Sequence, residues 1–304
     1  MTCVHIDTDM GTDDGLALVL ADRLISDVVI STVYGNVSVG QATRNALIFR
    51  RLLGRDGRWR VYRGAATASD GTAFHARDVH GPDGLGDATS GLDADASDAI
   101  DAAIVHDLAK TKAPDVPGPE RVTILGLGPA TNIPHLVSWY GSSRVEKIVL
   151  MGGAFYDWGN ITRHAEFNAY CDPAALAEVL SLGIPVTLVP LDVCRKVQLS
   201  RQTVLDYGKH DPSAATRLLV ASHLRYMDFY RSVEGIDGCF PHDAIALLAA
   251  LEPARFFCLT GSVSVALGAE ARGRTRLTIQ PGNTSVVMGG DLRWVRDMLR
   301  LDQG

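Results

Sequence analysis

The stretch that decides the fold is Val4-His5-Ile6-Asp7-Thr8-Asp9-Met10-Gly11-Thr12-Asp13-Asp14-Gly15. Val4 and Ile6 read as a buried strand, and the run Leu16-Ala17-Leu18-Val19-Leu20-Ala21 behind it reads as a helix. Four carboxylates fall within eight residues between them. Asp7 and Asp9 are two apart, so they share one face of the strand end. Asp13 and Asp14 sit in the first helical turn, where negative charge is favourable. All four can converge on one small volume. Bare carboxylates that close repel one another and drive pKa values up. A hard cation relieves the repulsion, and oxygen ligands suit calcium or magnesium. One such Asp would read as a cap or turn residue. Four on one turn, beside glycines and at a strand's carboxyl end, read as a cation site.

Outward from that turn the chain alternates strands with helices. Val28-Val29-Ile30-Ser31-Thr32-Val33 is a β-branched strand ending in Tyr34-Gly35-Asn36, where Gly35 suits a tight approach of backbone to ligand. A helix is expected from Ala42 to Leu53. Val122-Thr123-Ile124-Leu125 is the next strand, with Gly126-Leu127-Gly128-Pro129 as its turn and a short helix from Thr131. Lys147-Ile148-Val149-Leu150-Met151 follows, then a polar excursion from Phe155 to Cys171. Asp172-Pro173 opens a helix that stops at Gly183. Val186-Thr187-Leu188-Val189 ends in Pro190-Leu191-Asp192. Later come a helix opening at Pro241-His242-Asp243, strands near Ser262 to Ala266 and Thr275 to Ile279, and a last helix. This rhythm predicts an α/β fold, a mostly parallel twisted sheet covered by helices on both faces. Ligands then bind beyond the carboxyl ends of the strands.

The region from Gly64 to Ala96 breaks the rhythm. It is rich in Gly, Ala, Asp and Ser and contains Val79-His80-Gly81-Pro82-Asp83-Gly84-Leu85-Gly86. A connection this long is usually functional or disordered, and a mobile lid over the site is expected, with a plain surface excursion as the alternative. No second complete set of elements follows it, so residues 1–304 read as one domain.

Bulk properties narrow the function. A chain of 304 residues buries a large core without staples. The formal net charge of −6 and the lack of a basic stripe argue against nucleic acid as a partner. Five scattered cysteines form no CxxC pair, so a disulfide frame or zinc site is not expected. A strand begins almost at once, leaving no room for a signal peptide, and no apolar run reaches membrane-spanning length. A cytoplasmic protein without a membrane partner is expected.

Three later stretches concentrate groups that bind ligands. Gly159-Asn160-Ile161-Thr162 with Glu166-Phe167-Asn168 offers two amides and a carboxylate, suited to a polyhydroxyl group. Gly126-Leu127-Gly128-Pro129 offers free backbone carbonyls, which are good calcium ligands, although a plain turn would look the same. His242-Asp243 opens a helix. Asp243 there is either an N-cap or a metal ligand, and His242 either a surface histidine or an acid.

With those residues in view, the sequence resembles the inosine–uridine-preferring nucleoside hydrolase family over most of its length, from Asp7 to Asp243. DTDMGTDD resembles the family's N-terminal calcium motif. YGNVSVG, HGPDGLGD, LGPATNIP, MGGAFYDWGNITRHAEFNAYCDP and PHDAIAL resemble its other blocks, in order. The resemblance implies Ca²⁺-dependent hydrolysis of ribonucleosides to ribose and free base. It implies Ca²⁺ bound by Asp9, Asp14, Asp243 and the carbonyl of Leu127, with Asp9 also taking a proton from the attacking water. Asp13, Asn160, Glu166 and Asn168 would hold the ribose hydroxyls, with Asn36 nearby. His242 would be the acid that protonates the leaving base, and Asp7 would support the ligands from behind. Met10 and Ala244 depart from the pattern, where proline is usual. Tyr226, Phe229 and Tyr230 either stack on the base or belong to the core, with Tyr230 the chosen base contact. A homodimer or homotetramer is expected. A magnesium phosphohydrolase could also begin with DxD, but it needs a phosphate-binding lysine and a later acidic pair. Asp192 is single and Lys196 is in no phosphate loop.

Overall fold

The acidic turn leaves the sheet at its middle. The computed structural model describes residues 3–92, 105–112 and 121–301. In it β1 (Cys3–Thr8) lies between β2 (Val28–Thr32) and β5 (Val122–Gly126), parallel to both. Beyond β2 come β3 (Arg60–Arg63) and β4 (His106–Asp107). Beyond β5 come β6 (Val145–Met151), β7 (Val186–Val189) and β12 (Thr284–Gly290), again parallel. β10 (Phe256–Val265) runs antiparallel to β12, and β11 (Thr275–Thr278) ends the sheet antiparallel to β10. The ten-stranded order is β11-β10-β12-β7-β6-β5-β1-β2-β3-β4. A small ribbon pairs β8 (Leu199–Ser200) with β9 (Gly238–Cys239).

β1, β2 and β5 are buried at every position. Strands covered on both faces are mostly apolar, and here the buried polar groups His5, Asp7 and Ser31 bond to one another within the core. One hydrophobic cluster gathers the helices Thr12–Leu24, Val39–Leu52, Ala214–Val233 and His242–Leu251. A second gathers Ile133–Tyr140 and Pro173–Ser181. The helix Thr12–Leu24 is buried from Thr12 to Ala21, because it lies between the sheet and other helices rather than at the surface. Asp172 caps Pro173–Ser181 by accepting from the Ala175 N–H, a contact worth about 1 kcal/mol.

Several boundaries differ from the sequence expectation. The helix expected from Ala42 begins at Val39, with Ser38 accepting from the Gln41 N–H as its cap. β3 and β4 are short and bounded by charged residues, which hides them. β10 begins at Phe256, and β12 was not anticipated because it ends in Gly289-Gly290. The polar excursion closes in a short helix, Phe167–Cys171.

The Gly-rich region is tied down where it is described; its residues 93–96 lie outside the described part. The Asn45 amide donates to the Asp83 carbonyl at 2.7 Å and to the Met10 carbonyl at 3.1 Å. The Asp83 carboxylate accepts from the N–H groups of Leu85, Asp87 and Thr89. Leu85 is fully buried. Among the described residues no helix is long and apolar enough to cross a membrane.

Candidate active site

The expected position holds: a cavity of about 360 Å³ opens beside the acidic turn and the ends of β5 and β6. The helices that start at Thr12 and His242 aim their first turns into the same place. Both macrodipoles favour negative charge there. Oxygens of Asp13, Asp14 and Asp243 lie within 4.8 Å of one another, and all three residues are buried.

The electrostatics follow from that crowding. Burial, then the charge of Asp13, pushes the Asp14 carboxyl up to about 7. Burial, then the charges of Asp13, Asp14 and Asp9, holds Asp243 well above the carboxylate range. Asp9 is raised by burial and by Asp14. For Asp13 burial also acts upward, but the His242 hydrogen bond and the charges of His80 and His242 outweigh it, and its pKa is lowered. Asp13 Oδ2 lies 3.3 Å from His242 Nδ1. Among the described residues no lysine or arginine pairs with any of these carboxylates. A buried donor set of hard oxygens with no lysine or arginine partner among the described residues fits a divalent cation.

Asp13 joins Asp14 and Asp243 in this cluster, and Asp9 lies beside it, bridged to Asp14 through Asn36. Both Asp9 oxygens accept from Asn36, one from its backbone N–H at 2.8 Å and one from its amide at 2.9 Å. The same amide reaches Asp14 at 3.3 Å. Gly35 permits this, since a Cβ there would stand 2.0 Å from Asp9 Oδ2. The tight approach expected of Gly35 is therefore to a carboxylate of the protein. Asp14 also accepts from the Thr8 hydroxyl and from the Gly11 N–H.

The Leu127 carbonyl lines the cavity but already accepts from the Asn168 amide at 2.8 Å. A carbonyl oxygen has a second lone pair. Glu166 lines the cavity too, with its carboxylate accepting from the N–H groups of Asn168, Ala169 and Gly153. Burial raises its pKa despite those three bonds. Asn160 sits exposed at the rim, its amide oxygen accepting from the Phe167 N–H and its nitrogen free to donate. So Asn160, Glu166 and Asn168, three of the four residues expected to hold ribose, are gathered around the cavity and partly engaged in shaping it, and Asp13, the fourth, lines it too. Asp7 faces away: Ser31 and Asn132 hold one of its oxygens, and the other, buried, has no partner among the described residues. It supports the site through its backbone carbonyl, which accepts from the Leu127 N–H at 2.7 Å.

Tyr226, Phe229 and Tyr230 line the other end of the cavity and also belong to the core around it. Other lining residues stood outside the expected site, among them His80, Asp78 and Arg195. His80 stacks on Tyr226 at 4.9 Å, and its Nδ1 accepts from the Thr12 N–H. Burial lowers its pKa to about 4. Its signal was its place in the Gly-rich run, at the head of the block HGPDGLGD. Asp78 and Arg195 had none. Asp192 is no phosphatase acid: its carboxylate accepts from the N–H groups of Phe155, Tyr156 and Asp157. Met10 adopts φ +49°, a conformation closed to the proline that the resemblance expects there.

The α/β sheet and the acidic cavity at its strand ends define a hydrolase-type ligand site. The sequence model described as "Inosine-uridine preferring nucleoside hydrolase" matches residues 4–297. Uridine nucleosidase 1 of Arabidopsis thaliana is 34% identical over 86% of this chain and 77% of its own. A plant nucleoside hydrolase structure superposes with a TM-score of 0.84 at 27% identity, over 100% of this chain and 99% of the other. A purine-preferring ribonucleoside hydrolase from Gardnerella vaginalis gives 0.80 at 26%, over 99% and 98%. The chain belongs to the inosine–uridine preferring nucleoside hydrolase family and is a ribonucleoside hydrolase.

Proposed function

We propose that the reaction is calcium-dependent hydrolysis of the N-glycosidic bond, giving ribose and free nucleobase. The observation that carries this reading is the uncompensated cluster of Asp13, Asp14 and Asp243 on the cavity floor. Asp14, Asp243, Asp9 and the Leu127 carbonyl would hold the ion, which when bound would lower the pKa of a water. Asp9 takes the proton that the attacking water gives up. Its pKa is raised by burial, as suits a general base near neutral pH. As the bond breaks, positive charge develops on the ribose, and the carboxylates that face it stabilise that charge. Asp13, Asn160, Glu166 and Asn168 bind the ribose, with Asn36 holding the base Asp9 in place.

The nucleobase lies against Tyr230, Tyr226 and Phe229, and His242 protonates it as it leaves. One observation favours His80 as a hydrogen-bond donor to the base. Its Nδ1 accepts a backbone N–H, so the neutral ring carries its proton on Nε2. The named preferences of relatives, uridine in one and purine in another, leave both base classes as substrates to compare. The deciding experiment removes metal with a strong chelator and assays ribose release. Turnover should vanish and return with calcium; full activity of demonstrably metal-free protein would overturn the reading.

A further inference from the structure

The segment that walls the active-site cavity also walls a second cavity, of about 370 Å³, on its other side. Both volumes suit small molecules, whose sites span about 300–1,000 Å³. The second cavity brings together Arg163 and His164 from the excursion with Arg274 and Arg276 from the β11 edge. Two distant parts of the chain thus supply its positive charge. Ala165 and Arg274 form a backbone bridge, and the Thr275 hydroxyl bonds both the N–H and the carbonyl of Ala154. These contacts fix the two walls against each other.

The arginines are uncommitted. Neighbouring Arg195 and Arg272 each pair with a carboxylate, Asp157 and Asp70. Among the described residues Arg163, Arg274 and Arg276 pair with none. The one acid in the wall, Asp157, is already used by Arg195 and by the Trp158 N–H. Two large aromatic side chains complete the wall while open to solvent, Tyr156 at 71% and Trp158 at 56% exposure. The Arg163 guanidinium lies 4.3 Å over the Trp158 ring. Solvated surface arginines are common singly, but three facing one cavity beside solvent-exposed rings have a matching ligand chemistry. Guanidinium forks fit phosphate oxygens, and exposed aromatic planes stack on nucleobases.

We propose that this cavity binds a nucleoside monophosphate, with its phosphate on Arg163, Arg274 and Arg276 and its base against Tyr156 or Trp158. Removing the phosphate from this ligand class yields nucleosides, so the two cavities take compounds one hydrolytic step apart.

The test titrates the whole enzyme with uridine monophosphate, inorganic phosphate and uridine by calorimetry. The comparison protein carries Arg274→Gln with Arg276→Gln. Uridine monophosphate should bind the wild type saturably and the double variant at least about tenfold more weakly, the loss expected of charge-assisted hydrogen bonds. Ribonucleoside hydrolysis by the variant should be unchanged, which shows that it is folded. Trp158→Ala together with Tyr156→Ala should weaken the nucleotide but not inorganic phosphate. Absent saturable binding, or binding indifferent to the arginine changes, overturns the proposal. Phosphate binding as tight as the nucleotide overturns the nucleotide assignment.

Discussion

Both oxygens of the Asp9 carboxylate are held by one residue, Asn36, through its backbone N–H and its side-chain amide. The register of β1 on β2 makes this possible. It pairs Thr8 with Thr32, so the two strand ends turn toward each other at one level. The backbone bond would survive a side-chain change, but the amide bond would not, and the bridge to Asp14 would go with it. Asn36→Ala should therefore lower kcat for a ribonucleoside about 10- to 100-fold, the cost of a hydrogen bond to a charged group. Thermal stability should change far less. A kcat within error of wild type would remove Asn36 from the support of Asp9.

Met10 supplies a second prediction, because the family resemblance and the backbone disagree. Its φ of +49° is closed to proline, and its N–H donates to the Thr8 hydroxyl at 3.1 Å. Met10→Pro would restore the usual family residue and yet break both features. It should destabilise by more than about 1 kcal/mol, seen as a Tm lower by about 2 °C or more. A raised Tm would show that the turn adopts a different backbone in solution.

These two residues mark how far the sequence was legible. The strands at the sheet centre and the helix starts were readable because periodicity and caps are local signals. Asp13 and Asp14 were readable with Asp7 and Asp9 as one acidic turn, and Asp243 as an N-cap or a metal ligand at another helix start. Which carboxylates meet was not readable, since that depends on how the helices Thr12–Leu24 and His242–Leu251 pack side by side. The Asn36–Asp9 contact depends on strand register, and the role of Glu166 as a backbone cap depends on the shape of its loop. His80 lies in a Gly-rich turn with no periodicity, so only the fold brings it against Tyr226.

The acidic cluster gives a pH dependence with a definite sign. The Asp14 carboxyl is raised to about 7 in the folded protein by burial and by Asp13, against about 3.9 in an unfolded chain. Without metal, its contribution to stability is fully present below about pH 4 and is lost as pH rises through about 7. A cation needs the ionised form, so its binding gains as the proton leaves. The rise in Tm on adding calcium to chelated protein should be largest near pH 8 and small near pH 5. Carboxylates with lowered pKa, such as Asp70 and Asp211, act in both arms and cancel in the difference. A calcium-induced shift as large near pH 5 as near pH 8 would count against Asp14 as a ligand.

His242 is the sharpest test of the chemistry, because it touches both functions of the site. Its ring lies 3.3 Å from Asp13 at Nδ1 and edge-on to Phe240 beside Tyr230. If it protonates the departing base, His242→Ala should lower kcat/KM for inosine roughly 10²–10⁴-fold, the usual worth of a general acid. Para-nitrophenyl riboside has a leaving group that needs no proton, so its kcat/KM should fall only slightly. Other roles predict other patterns. A histidine that only packs the base would raise KM for inosine and spare kcat. A histidine that only orients Asp13 would harm both substrates alike, since Asp13 faces the sugar that they share. The measurement is the ratio of kcat/KM for inosine to that for para-nitrophenyl riboside, in wild type and variant at saturating calcium. An unchanged ratio would exclude the acid role for His242. The neutral Nε2–H of His80, stacked on Tyr226 in the same wall, would then be the donor to test, with His80→Ala expected to change the ratio instead.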